Sequence, residues 1–291
     1  MKPAPFRYLR PSSVDEAISV LAAEGYGAKP LAGGQSLIPA MNFRLAQPAV
    51  LVDLGDLDEL RYIREAEGSL GIGAMTRHSD IERSAAVRER APLLAEAMPW
   101  IAHLQIRNRG TLGGSLAHAD PASELPAVML PLDARLHLRG PGGDSTVPFC
   151  DFCTGLFTTA LAPDELVTGV EIPILPSGTG CAFKEVSRRH GDFALVGVCA
   201  VLTLDAGGTC TRASVTLLSV GDGPVCANTA EDLLLGHPPT TDAIREAAEA
   251  AATRDIDPPA DIHASAPYRR QLARVLTARA LETAALRATG A

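Results

Sequence analysis

The sequence predicts an α+β protein of two domains, and two observations support this fold class. The chain has 291 residues, which exceeds a typical single domain of about 100–150 residues. Beyond a Pro- and Gly-containing stretch at 174–180, three strand candidates precede three helical segments, an order typical of α+β domains. We therefore predict a first domain at 1–176, with subdomains at about 1–56 and 57–176, and a second domain at 177–291.

The first subdomain begins with a helix. Ser13 and Glu16 have the spacing of a capping box, the apolar residues that follow have helical spacing, and Gly25 is a suitable stop. Short strands are then predicted at 27–32, 49–54 and 69–75. This order of one helix and several strands predicts a small α/β unit.

The rest of the chain continues the alternation and then changes character. A helical stretch is predicted at 78–104, a short helix at 124–132, and strands at 134–140, 145–149 and 165–173. The C-terminal part is predicted to form a three-stranded antiparallel sheet from residues 181–189, 194–205 and 210–221, followed by helices at 228–235, 240–253 and 267–288.

Composition and charge exclude several classes of function. The net charge of -8 argues against a nucleic-acid partner, whose phosphates attract a basic surface. No apolar run reaches the roughly 18 residues that a membrane span needs, and the N-terminus does not have the pattern of a signal peptide. We expect no transmembrane segment and a cytoplasmic protein.

The six cysteines are predicted to be free rather than metal ligands. Cys150 and Cys153 form the one CxxC motif, whereas a structural zinc site or an iron–sulfur cluster normally uses four ligands. Cys199 and Cys210 lie in apolar runs, where a thiol packs as a small hydrophobic group. No metal site is therefore expected on this chain.

Two loops with paired glycines are the candidate functional motifs. They read KPLAGGQSLIP at 29–39 and RGTLGGSLAHADPASEL at 109–125. Neither loop has the GxxxxGK[ST] pattern of a P-loop, and no GxGxxG motif opens a helix after a strand. Each glycine pair alone is compatible with a simple turn, whereas two such loops with neighbouring hydroxyl groups suit a pyrophosphate that is held from both sides.

The two loops also resemble a known family. AGGQSLIPAMNFRLAQPAVLVDL and RNRGTLGGSLAHADPASELPAV are similar to the flavin subunit of the molybdenum hydroxylases, the medium subunit of the carbon monoxide dehydrogenase type. The likeness continues through DELVTGVEIP and FKEVSRRHGDFALVGV and so covers nearly the whole chain. It implies a two-subdomain FAD-binding domain of the vanillyl-alcohol-oxidase (PCMH) type, followed by a small C-terminal α+β domain.

The resemblance also implies a set of residues that bind FAD. The first clamp on the pyrophosphate would comprise Ala32, Gly33, Gly34, Gln35 and Ser36, with Leu37 and Ile38 beside it. The second clamp would comprise Thr111, Gly113, Gly114 and Ser115. Since neither loop has Lys or Arg between its glycines and serines, we expect neutral backbone amides to contact the phosphates.

Further positions of the family pattern would surround the flavin itself. Glu124 would accept hydrogen bonds from the ribityl chain or the flavin ring, although it also suits a charge at a helix N-terminus. Leu166 and Val167 would pack on the isoalloxazine ring, and Lys184 would place a cation near it. Asp120 and Asp192 are the remaining candidates, and both also suit turn positions.

The family likeness implies an electron-transfer role without catalytic residues on this chain. A large molybdopterin-binding subunit would oxidise the substrate, and a small [2Fe–2S] subunit would pass electrons to FAD. The resemblance implies that the subunits assemble as a dimer of heterotrimers. The external acceptor and the substrate (carbon monoxide, a purine, another N-heterocycle or an aromatic compound) remain open. Two alternatives are a self-contained FAD-dependent oxidase and a flavin-binding module without turnover.

Overall fold

The computed structural model describes residues 2–290. The first unit of the fold is a small parallel sheet with two helices. Its elements are β1 (Arg7–Leu9), α1 (Val14–Glu24), β2 (Ala28–Leu31), α2 (Leu37–Asn42) and β3 (Val50–Asp53). Strand β3 lies between β1 and β2 and runs parallel to both. The sequence did not predict β1, because its three residues are exposed or half-buried and form no apolar run.

Helix α1 has the predicted N-terminal cap with one difference. The Ser13 hydroxyl accepts the N–H of Glu16 at 3.1 Å. The Glu16 carboxylate, however, accepts the N–H of Ser12 at 2.7 Å instead of the N–H of Ser13. At the other end Gly25 has φ +53°, so it ends the helix as predicted.

The second unit is an antiparallel sheet with helices inserted between its strands. Its elements are β4 (Ile63–Ala66), β5 (Ser69–Gly73), α3 (His78–Arg83), α4 (Ala85–Arg90), α5 (Pro92–Ala97), α6 (Leu104–Arg107), α7 (Leu112–His118), α8 (Glu124–Met129), β6 (Arg135–Gly140), β7 (Gly143–Pro148), β8 (Cys153–Gly155), β9 (Thr158–Thr159) and β10 (Leu166–Pro173). The five-stranded sheet has the order β4-β5-β10-β6-β7, and all of its neighbours are antiparallel.

The stretch predicted as helical at 78–104 is divided into several short helices. Ser84 ends α3 and caps α4, because its hydroxyl accepts the N–H of Val87 at 3.3 Å. Pro92 stands in the first turn of α5, where its missing N–H costs no hydrogen bond. The helical stretch is therefore interrupted at these two positions, which the apolar spacing alone did not indicate.

The third unit contains one more strand than the sequence predicted. Its elements are β11 (Thr179–Ser187), β12 (Ala194–Leu204), β13 (Cys210–Leu218), β14 (Val225–Cys226), α9 (Asn228–Leu234), α10 (Thr241–Ala250) and α11 (Ala266–Ala288). The prediction of a three-stranded antiparallel sheet was wrong in number, since β14 adds a fourth strand beside β13. A strand of two residues is too short to give a periodic signal.

Both faces of the third sheet are covered. Val196, Val198, Ala200 and Leu202 on one face of β12 pack with the helices of the third unit. Residues on the opposite face, among them Phe183 and Cys199, join the core of the second unit. Every residue of β12 is consequently buried, as expected for a strand with covers on both sides.

The cysteines are free, and they do not all lie in the core. Cys181, Cys199 and Cys210 are buried, in keeping with the packing role predicted for Cys199 and Cys210. Cys150 is exposed and Cys153 is half-buried. The packing role therefore does not extend to Cys150.

None of the helices within residues 2–290 combines the length and the apolarity of a bilayer-spanning helix. The three larger sheets are drawn from successive stretches of the chain, and β8 and β9 form a separate two-stranded sheet. The exact domain boundaries at 56/57 and 176/177 stay predictions.

Candidate functional site

The first glycine loop connects β2 to α2. Gly34 has φ +72°, a left-handed conformation that a glycine adopts without strain. The side-chain amide of Gln35 donates to the carbonyl of Gly33 at 3.1 Å. Among the hydrogen bonds of residues 2–290, none uses the backbone N–H groups of Gly33, Gly34, Gln35 or Ser36. Four successive donors are thus available to an anionic ligand.

The second glycine loop forms the beginning of α7. Thr111 is its N-cap, with a hydroxyl that accepts the N–H of Gly114 at 3.2 Å. The N–H of Leu112 donates to the carbonyl of Thr76 at 3.1 Å, and that of Gly113 donates to the carbonyl of Ala74 at 2.9 Å. These amides are engaged within the protein, which differs from the expectation that both loops offer free amides to phosphate.

The two loops pack directly on each other. A methyl group added to Gly33 would lie 2.8 Å from the Cα atom of Gly110 and would also overlap the carbonyl of Arg109. A methyl group on Gly114 would lie 3.3 Å from the Cβ atom of Ala32. The absence of side chains at Gly33 and Gly114 therefore allows this contact, which brings both predicted clamps together.

The chain that follows α7 links the second loop to the third unit. The Ser115 and Ser123 hydroxyls are 3.0 Å apart, and the Asp120 carboxylate accepts the N–H of Ala122 at 2.9 Å. Ser219, at the end of β13, donates its N–H to the carbonyl of Pro121 at 2.9 Å. Asp120 thus has the turn-forming role that the sequence left open, while its contact with FAD stays a prediction.

Glu124 is buried at the first position of α8. Burial is the main cause that raises the pKa of its carboxyl group to about 7, and the neighbouring Asp120 contributes in the same direction. Glu185, on β11, is buried as well. Its burial and the nearby Glu124 raise its pKa to about 9.

Leu166 and Val167 begin β10 and are both buried in apolar clusters. Leu166 packs with the core of the first unit, and Val167 packs with that of the second. They therefore stand where the two units meet. Their predicted packing against the flavin ring stays a prediction.

The remaining candidates form ion pairs at the surface of the third unit. The Nζ atom of Lys184 lies 3.7 Å from a carboxylate oxygen of Glu96. The Asp192 carboxylate accepts a hydrogen bond from Arg188 at 2.8 Å. The predicted contacts of Lys184 and Asp192 with the flavin stay predictions.

Two buried polar residues near the site were missed by the sequence analysis. His78 begins α3 beneath Gly110, and neither ring nitrogen has a partner among the described residues. Burial lowers its pKa to about 4, so the ring is neutral at pH 7. The other is Glu185. It lies on the same face of β11 as Cys181 and Phe183, a pattern that could have indicated an inward-facing acid.

The site has features that fit the FAD implied by the family resemblance. The free N–H groups of the first loop suit a pyrophosphate, and the packed glycines of both loops leave the backbone accessible. A separate surface cleft, lined by Tyr62, His137 and Thr168 among others, contains none of the predicted site residues. The glycine loops, rather than that cleft, are the candidate cofactor site.

Comparison with known families gives two matches that together cover most of the chain. The family described as "FAD binding domain in molybdopterin dehydrogenase" matches residues 4–175. The family described as "CO dehydrogenase flavoprotein C-terminal domain" matches residues 181–284.

Individual relatives match over nearly their full length. The chain is 43% identical to the 6-hydroxypseudooxynicotine dehydrogenase complex subunit alpha of Paenarthrobacter nicotinovorans, covering 99% of this chain and 97% of that one. It is 39% identical to the carbon monoxide dehydrogenase medium chain of Hydrogenophaga pseudoflava, covering 98% of each. A solved structure of carbon monoxide dehydrogenase from Hydrogenophaga pseudoflava superimposes with a TM-score of 0.95 at 40% identity, covering 99% of both chains.

Proposed function

Because the chain belongs to the family of FAD-binding medium subunits of the molybdenum hydroxylases, we propose that its glycine loops hold FAD for electron transfer. The protein is an oxidoreductase subunit and a flavoprotein. When bound, FAD accepts electrons from the [2Fe–2S] clusters of a partner subunit and passes them to an external acceptor. The observation that carries the assignment of the site is the packing of the two glycine loops beside four free N–H groups.

The two loops have different tasks in this proposal. The free amides of Gly33, Gly34, Gln35 and Ser36 donate to the pyrophosphate. The second loop supports the first, because Gly33 lies against Arg109 and Gly110 and no side chain separates the loops. Its direct contribution to FAD comes from the hydroxyl of Ser115, since the amides of Leu112, Gly113 and Gly114 already have acceptors.

The partners are a large molybdopterin-binding subunit and a small [2Fe–2S] subunit, assembled as a dimer of heterotrimers in the cytoplasm. The names of two relatives support assembly, since they denote a complex subunit and a medium chain. These two relatives resemble this chain to a similar degree, at 43% and 39% identity. Their names nevertheless refer to different compounds, 6-hydroxypseudooxynicotine in one and carbon monoxide in the other. This similarity supports a substrate site on another subunit.

A self-contained oxidase would need a substrate pocket on this chain. The third unit is the part of the chain that could provide one, but its sheet is packed on helices on one face and on the second unit on the other. No catalytic residue is therefore assigned within residues 2–290. The arrangement favours an electron carrier.

The loop assignment predicts that purified protein contains one FAD per chain and loses it when the first loop is distorted. In Gly34→Ala, a methyl group at φ +72° would lie 3.1 Å from Ile38 and 3.2 Å from Leu31. We expect FAD affinity to fall by about tenfold or more, equivalent to about 1.4 kcal/mol.

Gly236→Ala is the matched control. Gly236 has φ +78° and no neighbouring atom within 4 Å of the added methyl group, so both variants have comparable backbone strain of about 1 kcal/mol. Flavin content would be measured by absorbance, with mass spectrometry of the released cofactor. Equal FAD affinity in the two variants would contradict the loop assignment.

A further inference from the structure

Arg77 is a half-buried arginine without an acidic partner of its own. It stands directly before α3, and none of the ion pairs among residues 2–290 includes it. The two acids that act on its charge are Asp80 and Asp53. Asp80 pairs with Arg83 at 3.0 Å, and the Asp53 carboxylate accepts the N–H of Gly55 at 2.8 Å. No carboxylate is therefore reserved for Arg77.

The Arg77 guanidinium lies where the two glycine loops meet. Its Nη1 atom donates to the carbonyl of Arg109, which is the carbonyl that a methyl group on Gly33 would overlap. The backbones of Arg77 and Thr111 also pair as an antiparallel bridge. A single hydrogen bond thus links the guanidinium to the contact between the loops, next to the free N–H groups of the first loop.

Part of the guanidinium is still available to a ligand. Among the hydrogen bonds of residues 2–290, Nη1 is the only nitrogen of the Arg77 guanidinium with an acceptor. Its Nε and Nη2 atoms remain as donors, and the side chain is half-buried rather than enclosed. A guanidinium presents its donors in a planar fork that matches the oxygens of a phosphate.

Positive charge is concentrated around Arg77. Burial is the main cause that lowers the pKa of its guanidinium, and the charges of Arg61 and Arg109 lower it further. Arg61 pairs with Asp58 at 2.8 Å, whereas Arg109 is exposed and belongs to no ion pair of the described residues. Arginine nevertheless stays charged at neutral pH. An anion at this place would relieve the repulsion between the arginines.

Resting on the proposed function, we propose that Arg77 is a further residue of the FAD site and that its guanidinium compensates the charge of the pyrophosphate held by the first glycine loop. The four free N–H groups of that loop supply dipoles but no net charge. The chain as a whole has a net charge of -8, which repels an anionic cofactor. Arg77 supplies the local positive charge that the amides do not have.

The sign of the salt dependence follows from this role. The screening length of salt is about 10 Å at 0.1 M and about 3 Å at 1 M. Attraction between Arg77 and the pyrophosphate should weaken as salt is added. If neutral amides alone bound the pyrophosphate, salt would instead screen the repulsion by the net charge of -8, and FAD affinity would rise.

The test measures the FAD dissociation constant of the full-length, flavin-stripped chain by fluorescence at low and high NaCl concentration. We expect wild-type affinity to fall with salt. At about 0.05 M NaCl, Arg77→Gln should bind FAD about tenfold more weakly than the wild type, which equals about 1.4 kcal/mol. At about 1 M NaCl the difference should shrink to less than about threefold, since the charge is then screened. A purely structural role for Arg77 would leave the same difference at both concentrations.

Arg270→Gln is the matched control. Arg270 is a half-buried arginine of α11 that donates to the carbonyls of Ala252 and Ile256 at 3.1 and 2.8 Å. Its replacement removes the same charge and comparable hydrogen bonds from the third unit. This variant should bind FAD with wild-type affinity at both salt concentrations.

Arg77→Lys separates the charge from the shape of the side chain. It keeps the positive charge, so it should bind FAD more tightly than Arg77→Gln at low salt and keep the wild-type direction of the salt dependence. Wild-type affinity that does not fall with salt, or equal affinities of Arg77→Lys and Arg77→Gln, would overturn the inference. A wild-type chain that binds no FAD would instead overturn the proposed function, so the two failures are distinguishable.

Discussion

The hydroxyl oxygen of Thr111 shows how a single residue supports the site. It accepts the N–H of Gly114 at 3.2 Å and thereby caps α7, the helix that begins inside the second glycine loop. Thr111 is 2% exposed, and removal of its hydroxyl would leave the half-buried N–H group of Gly114 without this acceptor. The loop that lies against Gly33 would then lose part of its support.

Thr111→Val should therefore weaken FAD binding as well as stability. The loss of an N-cap costs about 1 kcal/mol, measured as the free energy of unfolding in urea. Thr240→Val is a matched control, because the Thr240 hydroxyl caps α10 by accepting the N–H of Ala243, also at 3.2 Å. Both variants should lose stability, but only Thr111→Val should lower FAD affinity. Unchanged FAD affinity in Thr111→Val would contradict a supporting role for the second loop.

At the scale of elements, Arg269 of α11 holds the third sheet at the end that faces the site. It is 4% exposed and donates to the carbonyls of Leu195 and Ser219 and to the Asp261 carboxylate. Because Ser219 also binds Pro121, this arginine stabilises the junction between α11, two strands and the loop before Glu124.

Arg269→Met should consequently destabilise the protein by about 3 kcal/mol, since buried carbonyls and a carboxylate lose their donor. Arg274→Met is the control on the same helix, because Arg274 forms an exposed pair with Glu249 at 3.2 Å that contributes less than about 1 kcal/mol. Urea unfolding of both variants measures the difference. Similar free energies of unfolding would show that the buried contacts of Arg269 are not important.

The elements that were predictable from the sequence are those with a local signal. Helix α1 was predicted from Ser13 and Gly25, and β12 was predicted from its continuous apolar run. Strand β14 and the breaks between α3 and α5 escaped, because two-residue pairing and tertiary packing leave little periodicity. The same limit applies to the site: the glycine pairs were visible, whereas the burial of His78 and Glu185 depends on segments distant in the chain.

At the scale of the whole molecule, the fold explains why this chain binds a cofactor but is not expected to bind the organic substrate. The first and second units meet at the glycine loops. The third unit uses one face of its sheet to cover the second unit and the other to bind its own helices. Substrate chemistry is therefore assigned to a partner, and electrons reach this chain from outside.

The central claim is that FAD on this chain receives electrons from a [2Fe–2S] subunit. The most direct test is anaerobic stopped-flow mixing of the FAD-loaded chain with the chemically reduced small subunit of its own complex, freed of excess reductant. The visible absorbance of the flavin is the measured quantity. We expect bleaching on mixing with the reduced partner, and none with the oxidised partner or with candidate organic substrates alone. A flavin that stays oxidised beside the reduced partner, or that is bleached by a substrate without any partner, would contradict it.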